Sequence, residues 1–154
     1  MMELSADTTT RYARHAFSQL LAVATRLGDE RVNLRPMGPN TNAVAAIIMH
    51  CCGVAEFWLG HVGLGRASER DRDGEFVKTA TLAELRVAVD AALEQLEADV
   101  RAIDVGSTVS EFAAGRQFLL DEDGSDASLA LHVLEELFQH LGHAELAADA
   151  LLQV

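Results

Sequence analysis

Apolar residues recur along this chain at steps of three and four, the spacing that lines one face of an α-helix. They do so in four separate segments. The first runs from about Asp7 to Leu27, with Tyr12, Ala16, Leu20, Val23 and Leu27 on one face and Gly28 placed as a stop. The second starts after Thr41–Asn42, good capping residues, and continues to about His61 with Val44, Ile47, Ile48, Cys51, Ala55 and Trp58 inward. The third opens on Thr81 and Glu84, a capping box, and carries Leu82, Leu85, Val89, Leu93, Leu96, Val100 and Ile103. The fourth follows the acidic turn Asp121–Asp126, with Asp126 or Ser128 as cap and Leu129, Val133, Leu137, Leu141 and Ala144 as its core stripe. No stretch alternates apolar and polar residues convincingly enough to predict a strand. The pattern predicts an all-α four-helix bundle in a single domain over residues 1–154. The connections Gly28–Asn40, Gly60–Ala80 and Asp104–Asp126 exceed tight-turn length. Long crossovers and some parallel neighbours are therefore expected, with loops placed to roof a site at one end of the bundle.

Composition narrows the partners. The chain has 154 residues, a size at which one domain buries about two-thirds of its unfolded surface. Asp and Glu outnumber Lys and Arg 24 to 12, and Lys78 is the single lysine. Phosphate backbones and anionic membranes reward the opposite balance, so no nucleic-acid or membrane-surface partner is expected. No run approaches 18 uninterrupted apolar residues, and Met1–Thr10 lacks the basic start and apolar core of a signal peptide. Adjacent Cys51 and Cys52 cannot staple distant segments, which fits a reducing cytoplasm.

The candidate chemistry sits on the fourth segment. His132, Glu136, His140 and His143 fall within roughly 80° of one another on a helix turning 100° per residue. A glutamate and an imidazole four residues apart meet at one point and form a natural pair of metal ligands. A third must come from elsewhere. His50 is the best candidate, because it interrupts the apolar run Ile47–Ile48–Met49 and a buried imidazole demands a partner. A set of ordinary surface and capping histidines has the same spacing, so spacing alone leaves both readings open. His61 lies about 16 Å along the helix from His50, too far for the same ion. His132 and His143 read as polar neighbours and His15 as exposed. Cys51 reads as a core thiol and Cys52 points elsewhere; Phe57 and Trp58 read as packing residues. The "DEDGSD" turn lacks the spacing and terminal glutamate of a calcium loop.

Two stretches carry a resemblance: "TNAVAAIIMHCCGVAEFWLGHVGLGR" (Thr41–Arg66) and "LHVLEELFQHLGHAEL" (Leu131–Leu146). With the gap of 90 residues between His50 and His140, they resemble the DinB-like bundle superfamily over nearly the whole chain. The likeness is strongest to the branch of mycothiol-dependent maleylpyruvate isomerase and mycothiol S-transferases. The resemblance implies three metal ligands, one from the second helix and two from the last. His50 matches the first and His140 the final histidine. The middle position, usually histidine in the superfamily, is glutamate in the isomerase branch and is Glu136 here. One departure stands at Ala148, where related sequences often carry an arginine before the acidic residue, here Asp149.

The resemblance implies a divalent-metal protein, with zinc the first expectation and nickel or iron compatible. It also implies a mycothiol-type or other low-molecular-weight thiol activated on that metal, transferred to or isomerising a small electrophile, in a homodimer. The alternatives are a metal-dependent hydrolase, a non-catalytic metal-binding stress-response bundle, and a scaffold that binds no metal.

Overall fold

A computed structural model of the chain describes residues 4–104 and 125–153, and these contain helices, turns and no strand. The acidic turn's first four residues, 121–124, lie outside that range. Helix α1 spans Ala6–Arg31, broken at Gly28, whose φ of 67° ends the long regular part where the sequence predicts the stop. Helix α2 spans Val44–Ala55 and continues through Glu56–Gly63 as a wider π-helical stretch. A single turn, α3, covers Arg72–Glu75, and α4 and α5 cover Leu82–Asp104 and Asp126–Leu152.

The ends show where local signals hold. Thr81 N–H donates to Glu84 Oε2 (2.8 Å) and Glu84 N–H to Thr81 Oγ1 (3.2 Å), the reciprocal box the sequence predicts. Helix α5 is capped instead by Ser125, which accepts from Ser128 N–H, one residue ahead of Asp126 and three ahead of Ser128, the two expected caps. Helix α2 uses neither Thr41 nor Asn42: Ala43 takes the capping position, and Ala45 N–H donates to Val32 O (3.0 Å). The carbonyl ending α1 thus satisfies a donor that a side chain would otherwise meet.

The core follows the predicted stripes, with Phe17, Leu20, Ile47, Ile48, Leu85, Leu96, Leu129 and Leu137 fully buried. Each such side chain contributes about 1.5–3 kcal/mol through burial. Tyr12 departs: it is 56% exposed, lying edge-on to Phe138 at the rim rather than in the core.

Packing fixes the directions. Arg14 meets Glu97 and Arg101 faces Asp7, so α1 and α4 are antiparallel. Tyr12 meets Phe138 and Arg26 meets Asp149, so α1 and α5 run the same way. His50 meets His140 and Trp58 meets His132, so α2 and α5 are antiparallel. It follows that α2 and α4 are parallel. Helices α1 and α2 each pack between α4 and α5.

Parallel α2 and α4 force the chain to return the length of the helix, about 30 Å for 20 residues. The connection 64–81 makes that return alongside α2 rather than roofing one end. Arg66 lies over Gly60, and Glu75 lies over Gly53; a Cβ at either glycine would overlap the charged group seated there. The stretch Val44–Gly63 is long and apolar enough, by length and composition, to cross a membrane, although it contains no uninterrupted apolar run of that length. Of its most apolar window 61% is buried inside the bundle, as fits a core helix.

Candidate metal centre

His50 stands between the fully buried Ile48 and Cys51 and is 2% exposed. Glu136 and His140 project from successive turns of α5 at the edge of its core stripe, partly open to solvent. The fold brings the three together: one ligand atom from each lies within 4.8 Å of the others. His140 Nε2 is 3.5 Å from Glu136 Oε2, and His50 Nε2 is 3.8 Å from the same oxygen. Two donors on a tetrahedral zinc at about 2.0–2.1 Å stand about 3.4 Å apart, so these separations suit a shared cation. Two imidazoles and a carboxylate are also the donor types that zinc accepts with a position left open.

The protonation pattern fits. His50 Nδ1–H donates to Glu75 Oε2 (2.9 Å), which leaves the Nε2 lone pair facing Glu136. Arg70 Nη2 also approaches Nδ1, at 3.3 Å. Two donors cannot share a hydrogen bond, and the shorter contact to an acceptor-only carboxylate decides the tautomer. Burial, and then the nearby His50, pull the His140 imidazole below its ordinary value, with Glu136 opposing. The neutral ring that coordination requires is therefore favoured by the site itself. His140 Nδ1 is buried and has no hydrogen-bond partner.

Glu75 and Arg70 are functional candidates that the sequence reading missed. Glu75 is 5% exposed, and Arg70 holds it through Nε (2.7 Å) and Nη2 (2.9 Å). Phe76 covers the other side of the His50 ring, 4.6 Å between centroids. In sequence they belong to a polar loop, "SERDRDGEFV", with no periodicity. The signal that could have pointed to them is Gly53, a gap on an otherwise bulky apolar helix whose space Glu75 and Arg70 occupy.

The remaining histidines lie outside the cluster. His61 Nδ1 bonds to Arg66 O (2.7 Å), His132 packs edge-on to Trp58, and His143 is exposed with its ring 6.0 Å from that of His140. His15 is exposed. Cys51 is fully buried, and burial with the neighbouring Cys52, Glu136 and Glu75 pushes its thiol well up. Burial likewise pushes Cys52 up to about 12. Both are protonated at neutral pH, so neither is an activated nucleophile. Phe57 and Trp58 pack against the core.

A family model for mycothiol-S-transferase matches residues 8–151. The chain belongs to that family. It is therefore a member of the DinB-like superfamily, and the all-α bundle is the family's fold. No curated protein and no solved structure matches it significantly. Ala148, where the resemblance implies an arginine, is fully buried, and the adjacent Asp149 pairs with Arg26 of α1 (2.8 Å). A long cationic side chain at 148 would have to enter the packed interface, which gives a physical reason for alanine there.

Proposed function

We propose that this protein is a divalent-metal-dependent thiol transferase. On this reading His50, Glu136 and His140 hold one metal ion, zinc by preference, with an open position for a low-molecular-weight thiol of the mycothiol type. The observation that carries it is the convergence of two imidazoles and a carboxylate from two helices, in a chain whose family is named for mycothiol transfer. When bound, the metal lowers the pKa of a coordinated thiol, so that the thiolate is available at neutral pH.

The chain's own residues do the rest. His50, oriented by Glu75 and covered by Phe76, supplies a nitrogen fixed in direction. His140, held neutral by burial, supplies a second without first losing a proton. Glu136, between them, supplies negative charge. A divalent cation with the Glu136 and Glu75 carboxylates and the Arg70 guanidinium sums to one positive charge. One monoanionic thiolate neutralises that set, and a dianion overshoots it. With both cysteines held protonated, the protein offers no competing thiolate. The sulfur then forms a bond to an electrophilic carbon, and the leaving group departs with the displaced electron pair. A single bundle domain working as a homodimer in the cytoplasm completes the reading, with no nucleic acid or membrane involved.

The experiment has two parts. Element analysis of untagged protein is expected to give one equivalent of divalent metal, lost in His50→Ala and retained in His61→Ala. Mycothiol-dependent conjugation of a generic aryl halide is expected from the wild type and not from His50→Ala. Full metal content in His50→Ala overturns the site. Full metal in the wild type without thiol-dependent turnover overturns the transferase reading and favours a hydrolase or a non-catalytic metal-binding bundle.

A further inference from the structure

Glu75 and Arg70, on the crossover that returns along α2, reach the side of His50 turned away from Glu136 and His140, forming the chain His50 Nδ1–H···Glu75···Arg70. All three groups are nearly out of solvent, with side chains 3%, 7% and 10% exposed. Burying a carboxylate and a guanidinium is costly, and a paired set often contributes no net stability relative to apolar residues of the same size. The crossover could cover α2 with apolar side chains, as the rest of the core does. Instead a glycine at position 53 makes room for the Glu75 carboxylate, whose place a Cβ would take. The carboxylate bonds a ring nitrogen that has no need to be metallated, and this holds the opposite nitrogen toward Glu136 and His140. His140 has no such partner, since its Nδ1 is buried without one. Of the two imidazoles, only His50 is locked in both tautomer and rotation.

We propose that Glu75, itself held by Arg70, is the positioning residue of the metal centre: it fixes His50 as the Nδ1–H tautomer with Nε2 aimed at the ion. The inference rests on the metal reading above. An acceptor on the outer nitrogen of a ligating histidine characteristically sets ring orientation, and its loss weakens metal binding about 10–100-fold. Arg70 keeps the carboxylate from turning away, through a two-bond fork that a single lysine contact would not reproduce.

Removing Glu75 alone leaves a buried guanidinium unpaired, which threatens folding in its own right. The informative variant is therefore Arg70→Met/Glu75→Leu, which removes both charges and the acceptor together at similar volume, whereas a glutamine oxygen would still accept from Nδ1–H. Three measurements go with it: zinc affinity by competition with a chromophoric chelator, melting of the metal-free protein, and nitrogen-15 NMR of the His50 ring. The expected result is zinc binding weakened about 10–100-fold while the metal-free fold is retained, with the His50 ring moving from the pure Nδ1–H form to a mixture. A role in packing alone would change the melting temperature and leave zinc affinity and tautomer as in the wild type. A folded double variant that binds zinc as tightly as the wild type overturns the proposal. So does a wild-type metal-free protein whose His50 carries its proton on Nε2, which tests the idea without any variant. A wild type that takes up no zinc, nickel or iron overturns the metal reading itself, and is distinguishable from both.

Discussion

Gly53→Ala puts the seating of Glu75 to a test whose sign differs between the two outcomes. In an ordinary helix interior, alanine in place of glycine stabilises by about 1 kcal/mol, because the unfolded chain loses freedom. Here the new methyl would overlap Glu75 Oε1 and stand 2.9 Å from its Cδ and 3.0 Å from Arg70 Nε. Helix backbone cannot move aside, so the carboxylate must. Its displacement breaks three charge-assisted bonds, two to Arg70 (2.7 and 2.9 Å) and one to His50 (2.9 Å). Each such bond contributes about 1.5–3 kcal/mol when buried, and Glu75 with Arg70 can keep part of their pairing by shifting outward together. After the helix gain is subtracted, the expected net loss is about 2–4 kcal/mol. At about 2–4 °C per kcal/mol for a chain of this size, that is a melting temperature lower by about 5–15 °C. Urea unfolding of the metal-free protein measures it directly. A variant about 1 kcal/mol more stable than the wild type would refute the seating, since it would show that nothing occupies the space over residue 53.

Other outcomes follow from the same geometry. Asp99→Ala removes a carboxylate, 3% exposed, that accepts from both Arg66 Nη atoms (2.8 and 2.7 Å) and from Gln95. Urea unfolding should show a loss of about 1–3 kcal/mol, below the usual cost of orphaning a buried charge because Arg66 is 34% exposed and can turn to water. The His140 ring sits below its ordinary value of 6.5 when folded, so the unfolded chain binds the extra proton first. Denaturation midpoints of the metal-free protein should therefore fall as pH drops below about 6.5, flatten below the folded-state value, and lose that component in His140→Gln. Zinc titrations of His132→Ala and His143→Ala should keep one equivalent, because neither ring belongs to the cluster.

The four stripes were legible because periodicity at 3.6 residues is a local property, and Leu20, Ile47, Leu85 and Leu137 stand buried where it places them. The meeting of Glu136 with His140 was equally local, one turn apart on one helix. His50 could be nominated as an imidazole out of place in an apolar run, but its meeting with α5 is tertiary, and the family resemblance supplied it. Tyr12 was misplaced because a stripe has edges. Its position lies on the α1 face toward α5, yet the ring ends at the rim beside Phe138. The cap of α2 was misassigned because a backbone carbonyl, Val32 O, meets a donor that a side chain would otherwise meet, and that of α5 because Ser125 competes with its equally suitable neighbours Asp126 and Ser128. Glu75 and Arg70 were illegible for a stronger reason. Nothing local distinguishes "SERDRDGEFV" from a solvated loop, and only the parallel course of α2 and α4 lays it against His50.

That topology also gives the centre a closed side and an open one. The crossover covers the α2 side, where the His50 and Glu75 side chains are 3% and 7% exposed. On the α5 side Glu136 and His140 are 25% and 17% exposed. The buried carboxylate and guanidinium therefore lie behind His50, opposite the face from which a ligand reaches the three donor atoms. On the function proposed above, an incoming thiol would reach the three donor atoms from the side of α5, past two side chains with room to adjust, while the most deeply set of the three, His50, is the one held from behind. Were the crossover antiparallel-hairpin length, α4 would have to run the other way and His50 would lose its backing. A long loop, usually a liability to stability only through its closure entropy, is here what makes one of the three donors rigid.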